Sequence, residues 1–252
     1  MSFDYASASG MGTDTIDKAV LGQPFLNIIQ KGSPEFDETH RSYADKRIDG
    51  CRPGNILFEP ERLVLPQPLS VVPIAQTTAY TMWKPNKGGF AGNMPLTITS
   101  HRDYRKGTPG TPTEFKEYLG QNELVYTITF LILFKDGLDW KQGLIAFNGT
   151  QLKWARNWAK TILGVKIPSL PAGVRPPIFA AKYDLTTFAD SNGKGGWFAW
   201  KITSAGLIDP TSDQALLETA LAATKEAAFA LPNPQAQPTL AAATVVDGDN
   251  PY

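Results

Sequence analysis

The sequence predicts a mainly β fold, a barrel or a sandwich, with one helix near its middle, a second helix towards the C-terminus and a low-complexity tail. Three observations carry that prediction. Apolar runs are short and rich in β-branched and aromatic residues, the clearest being Glu123 to Phe134. Turn chemistry separates them, at Asp136-Gly137 and at the glycine-rich Asp190-Ser-Asn-Gly-Lys-Gly-Gly196. Helical composition is concentrated in two stretches, Thr150 to Leu163 and Ser212 to Leu231.

In chain order, residues 1–20 read as a flexible arm. Phe25, Leu26, Ile28 and Ile29 fit a short helix or a strand, and their periodicity does not choose between them. Residues 55–80 hold apolar runs broken by Pro60, Pro66, Pro68 and Pro73, a pattern that suits edge strands or loops. The strand Glu123–Phe134 stops at Asp136-Gly137, and Leu144 to Phe147 returns beside it. The central helix starts at Gly149 or Thr150 and ends at Gly164. Ile178 to Phe188 and Trp197 to Thr203 flank the glycine-rich tip as a second hairpin. Pro232 and Pro234 stop the last helix. The organisation expected is an arm (1–20), one domain (21–231) and a disordered linker and tip (232–252).

Composition narrows the function. A chain of 252 residues with 42% apolar and 11% aromatic content can bury a sizeable core. It contains no run near the ~20 apolar residues of a membrane span. Met1 to Gly12 has neither a basic nor an apolar leader region, and Cys51 is alone, so a reducing cytoplasmic setting is expected. Formal neutrality hides a charge pattern. Residues 1–62 carry seven Lys/Arg against ten Asp/Glu, residues 80–202 carry sixteen against eight, and residues 203–252 carry one against six. A basic middle between acidic ends fits a polyanion partner.

Catalytic chemistry is sparse. His40 and His101 have no partner at metal-ligand spacing, and one cysteine cannot build a zinc site. The Gly-Lys-Gly-Gly of residues 193–196 lacks the spacing of a phosphate-binding loop. Asp103, Asp136, Asp139 and Asp184 can supply magnesium ligands in principle, but nothing in their spacing groups them. A non-catalytic protein without cofactor or metal is expected.

The positive signal is cations interleaved with aromatics, the combination that single-stranded nucleic acid demands for phosphates and stacked bases. Tyr80, Trp83, Lys84, Lys87 and Phe90 form one cluster, and Arg102, Tyr104, Arg105 and Lys106 a second. On the central helix Lys153, Arg156 and Lys160 recur at steps of three and four, giving one basic stripe. Trp154 and Trp158 share the neighbouring stripe, where burial against the body is the competing role. A further cluster contains Lys182, Lys194 and Trp197. Trp197 and Trp200 are three apart, so in a regular strand one faces the core and the other is free to meet a base.

Two features carry a resemblance. The ending Asp247-Gly-Asp-Asn-Pro-Tyr252, after a Pro/Gln/Ala linker, resembles the acidic tip of bacterial single-stranded DNA-binding proteins. Pro24-Phe-Leu-Asn-Ile-Ile-Gln-Lys-Gly-Ser-Pro34 and Thr150-Gln-Leu-Lys-Trp-Ala-Arg156 look like segments of bacteriophage single-stranded DNA-binding proteins. The resemblance implies an OB-fold-like barrel that coats single-stranded DNA in phage replication or recombination, in the host cytoplasm. It also implies a tail that recruits replication or recombination proteins through Asp247, Asp249, Pro251 and Tyr252. A homo-oligomer is compatible with this reading, and a membrane is not part of it. The alternatives are a phage structural or assembly protein with a basic interaction surface, and a nuclease using scattered aspartates.

Overall fold

The computed structural model describes residues 24–84, 90–93, 123–171, 173–193 and 195–230, with the backbone alone described at 79–83, 90–93, 123–124 and 228–230. The expected arm and tail lie outside the described residues. The chain divides into two compact units, Met1–Thr78 with Val125–Ala227, and Ala79–Leu124 with Ala228–Tyr252.

Two antiparallel sheets dominate. The small one contains β1 (Leu26–Ile28), β2 (Ile56–Phe58) and β3 (Leu63–Leu65), in that order, with the short helix α1 (Tyr43–Lys46) between β1 and β2. The ambiguous segment at Phe25–Ile29 is thus a strand. The large sheet has the order β7-β6-β4-β8-β9. Its strands are β4 (Leu69–Trp83), β6 (Glu123–Asp136), β7 (Asp139–Asn148), β8 (Ala181–Asn192) and β9 (Gly195–Leu207), and β5 (Phe90–Asn93) pairs with β4. Helix α2 (Leu152–Leu163) connects β7 to the segment before β8, and α3 (Gln214–Ala230) follows β9. The ladders of the described strands give two sheets and do not draw a closed ring.

The large sheet is covered on both faces, which explains why β6 is apolar without strict alternation. On one face Phe130, Ile132 and Phe134 pack with Leu26, Ile56, Phe58 and Leu65 of the small sheet and with Ala155 and Trp158 of α2. On the other, Val72, Ile74 and Leu133 pack with Leu216, Ala220 and Ala223 of α3. Spacings of four and three place those α3 residues on one stripe. Ahead of the helix, Asp209 holds the turn that leads into it, its carboxylate accepting the Thr211 N–H at 2.8 Å and the Ser212 hydroxyl at 3.2 Å.

The proline-rich stretch follows its expectation in part. Pro60, Pro66 and Pro68 lie in turns or loops and β3 is an edge strand of the small sheet, but Pro73 is buried within β4, in the middle of the large sheet. The ladder between β4 and β8 runs from Leu69 to Val71 and ends before Pro73, so the missing N–H costs that ladder nothing. Beyond the other end of the ladder a side chain takes over. The Gln67 amide accepts the Thr187 N–H at 2.8 Å and donates to the Gly54 carbonyl at 2.8 Å, continuing the register past Leu69 and Leu185.

A second glutamine joins β1 to the far edge of the large sheet. Phe198 of β9 donates its N–H to Gln30 Oε1 at 2.8 Å, and Gln30 Nε2 donates to the Phe198 carbonyl at 3.0 Å. At the other end of β1, the Leu144 N–H of β7 donates to the Pro24 carbonyl at 2.8 Å, beside a parallel bridge between Phe25 and Leu144. The segment around β1 therefore touches both outermost strands of the sheet. Gly54 makes this junction possible. Its φ is +93°, and a Cβ there would meet the Phe198 ring at 2.8 Å.

No described helix is long and apolar enough to cross a membrane.

Candidate nucleic-acid interface

Helix α2 is amphipathic, and its apolar stripe fixes which way its cations point. Asn148 leads into a 3₁₀ turn at Gly149–Gln151, where Gly149 has φ +49°, and α2 follows directly. Ala155 and Trp158 are buried, with Leu152, Ala159 and Ile162 packed behind them. Trp158 is the anchor. Its ring stacks on Phe130 at 4.4 Å between centroids and meets Phe147 and Tyr183 edge-on at 6.3 and 5.7 Å. Gly164 ends the helix by donating its N–H to the carbonyls of Lys160 and Thr161.

With that stripe turned inward, Lys153, Arg156 and Lys160 are all exposed. The N-terminal end of α2 then meets the β8–β9 hairpin. Trp154 is half-buried and packs edge-on against Phe188 at 5.2 Å. Lys153 Nζ lies 4.8 Å from the Trp154 ring centre and 2.9 Å from Asp190 Oδ2. The Lys153 ammonium holds the Asp190 carboxyl below the ordinary carboxylate range against the opposing effect of desolvation, with the Ser191 N–H adding to it. Across the ladder Asp190 pairs with Trp197, which is half-buried, and Gln151 donates to the next carbonyl, Phe198, at 3.0 Å. Among the described residues, the indole N–H groups of Trp154 and Trp197 are buried with no hydrogen-bond partner.

The structure thus gathers Lys153, Trp154, Phe188, Asp190 and Trp197 at one junction, with Arg156 and Lys160 continuing along α2. Trp200 is core at 3% exposure, and Trp197, an odd number of residues away, is half-buried with its indole nitrogen enclosed. Lys182 goes elsewhere. Its ammonium is 2.9 Å from Asp213 Oδ2, tying β8 to the start of α3. In the second unit, Tyr80 and Trp83 are in β4 and Phe90 opens β5, where it pairs with Trp83. Lys84 follows β4 and is exposed. Lys87, Arg102, Tyr104, Arg105, Lys106, Lys194, Asp247, Asp249, Pro251 and Tyr252 lie outside the described residues.

Sequence reasoning passed over two members of the junction, Phe188 and Asp190. Asp190 reads as a turn residue from sequence, and only the hairpin register sets it against Lys153. Among the described residues no group of three or more His, Cys, Asp or Glu gathers as a metal site. Asp136 is engaged by Lys141 at 2.8 Å.

The Pam3 phage gp34-like protein family model matches residues 2–228. No curated protein and no solved structure matches the chain. With nearly the whole chain inside that match, the protein belongs to the Pam3 phage gp34-like protein family.

Proposed function

We propose that this protein binds single-stranded DNA without catalysing a reaction, coating exposed strands during phage replication or recombination in the host cytoplasm. The observation that carries the proposal is the outward face of α2, where Lys153, Arg156 and Lys160 are exposed beside the half-buried Trp154 and Trp197. Phosphates would follow the cations, which span roughly 10 Å along the helix axis. Unpaired bases would meet the indoles, each stack contributing about 1–3 kcal/mol. Arg156 and Lys160 make no salt bridge among the described residues, so their full charge is available to a polyanion. Asp190 neutralises Lys153 and makes it the weakest of the three contributors.

The OB-like barrel belongs to the same proposal. What supports it is the segment around β1, which reaches β7 through Leu144 and β9 through Gln30, the two outermost strands of the large sheet. The tail residues Asp247, Asp249, Pro251 and Tyr252 are proposed to recruit replication or recombination proteins.

The test is the double variant Arg156→Glu/Lys160→Glu. Its affinity for oligo-dT is expected to fall at least tenfold at moderate salt. The dependence of log K on log salt should flatten by about 1.4, from ~0.7 for each phosphate no longer neutralised. An unchanged affinity and slope would remove α2 from the interface.

A further inference from the structure

The first unit carries a groove of about 720 Å³ between α3, the end of β9 and the chain leading into β8. Its apolar walls include Ile167, Phe179, Leu207, Leu217 and Leu221, and Asp209 and Glu218 stand among them with no cation in the lining. Leu207 and Leu221 are 44% and 45% exposed. A contiguous apolar surface with a charged rim is the form a contact site takes.

Two leucines of the same unit are more exposed than Leu207 and Leu221. Leu138, at the β6–β7 turn, is 95% exposed, and Leu163, in the last turn of α2, is 69% exposed. Their surroundings differ in sign. Leu138 lies between Asp136 and Asp139, which an acidic rim repels. Leu163 lies between Lys160 and Lys166, both exposed and neither in a salt bridge among the described residues.

We infer that the groove receives Leu163 from a second copy of this chain, with Lys166 of that copy set against Glu218 and Asp209. The inserted leucine and the receiving groove are built from different residues, adjoining where Lys166 meets the groove residue Ile167, so the contact is heterologous and each copy offers one of each. A single leucine with its flanks buries well under the ~800 Å² per partner of a stable interface, so assembly is weak and depends on concentration. The contact rests on charge and exposure; Leu163 continues the stripe of Lys153, Arg156 and Lys160 by one step, so it adjoins the face proposed for DNA and is tested in the absence of DNA.

Sedimentation velocity of the full chain from low to high micromolar concentration tests it. The wild-type mass is expected to grow beyond a dimer. Leu163→Gln and Leu221→Glu should each lower the association constant at least tenfold. Leu163 is exposed, and a glutamate at 221 stands four residues before Lys225, an arrangement that favours the helix, so both variants keep the fold. An equimolar mixture of the two should form a one-to-one dimer and nothing larger, because one intact leucine meets one intact groove. That restoration also shows that both variants are folded. A wild-type chain that stays monomeric, variants that assemble like wild type, or a mixture that stays monomeric would each overturn the inference.

Discussion

Replacing Gln30 with alanine removes the amide that stands in for a strand at the β9 edge. Two hydrogen bonds to Phe198 disappear, at 2.8 and 3.0 Å. Each contributes about 1 kcal/mol net, and a part-buried N–H left without a partner adds up to about another. The Phe198 carbonyl keeps the Gln151 donor at 3.0 Å, so the orphaned group is the N–H alone. The expected loss is about 2–3 kcal/mol, or about 4–12 °C in Tm for a domain of this size. Gln30→Glu gives a sharper readout. Its carboxylate still accepts the Phe198 N–H, but its second oxygen faces the Phe198 carbonyl where Nε2 donated. The folded state therefore favours the protonated acid, and the folded pKa rises above the ordinary ~4.3. A raised pKa means stability gained as pH falls. The deficit of Gln30→Glu against wild type should be full above the folded pKa and close as pH drops towards ~4. Urea denaturation of the three proteins at several pH values measures both effects. An alanine variant within about 0.5 kcal/mol of wild type, or a glutamate deficit independent of pH, would refute the role assigned to this amide.

Two further outcomes follow from the geometry. Gly143→Ala would drive a Cβ into Leu26 Cδ1 and set it 3.1 Å from Phe134 Cδ1, pressing β7 against the small sheet. Overpacking of this kind costs about 1–3 kcal/mol, and a thermal melt unchanged from wild type would contradict that packing. Asp190→Asn releases Lys153, and on the proposed function it should tighten oligo-dT binding about threefold or more at low salt while leaving duplex affinity low. Weaker binding by this variant would mean that Asp190 supports the interface instead of competing for its cation.

Much of the fold is legible because local chemistry and tertiary context agree. The β-branched run before Asp136-Gly137 is a strand and its turn, and Gly164 ends α2 where its sequence predicts. The β4 strand is less legible, because proline weakens a strand only where the N–H is needed, and the β4–β8 ladder ends before Pro73. Gln30 and Gln67 are harder still. A side-chain amide that replaces a strand leaves no periodicity, since nothing in sequence says which glutamine will meet an unpaired backbone edge. At the candidate site, helical spacing placed Lys153, Arg156 and Lys160 on the exposed face but could not separate Trp154 from Trp158. They share a stripe, yet one end of α2 lies over Phe130 and the other against Phe188. Lys182 shares its segment with the cluster but is claimed by Asp213, a long-range partner that no local pattern announces.

The most direct test of the proposed activity is fluorescence titration of the wild-type chain with oligo-dT and with duplex of the same length, at low and moderate salt. The six tryptophans supply the signal, with Trp154 and Trp197 as the half-buried reporters beside the basic face. Tight, salt-sensitive binding to oligo-dT with tryptophan quenching and little duplex affinity is the predicted result. No binding to oligo-dT even at low salt would contradict the proposal and leave the basic face of α2 as a surface for packing against other phage proteins.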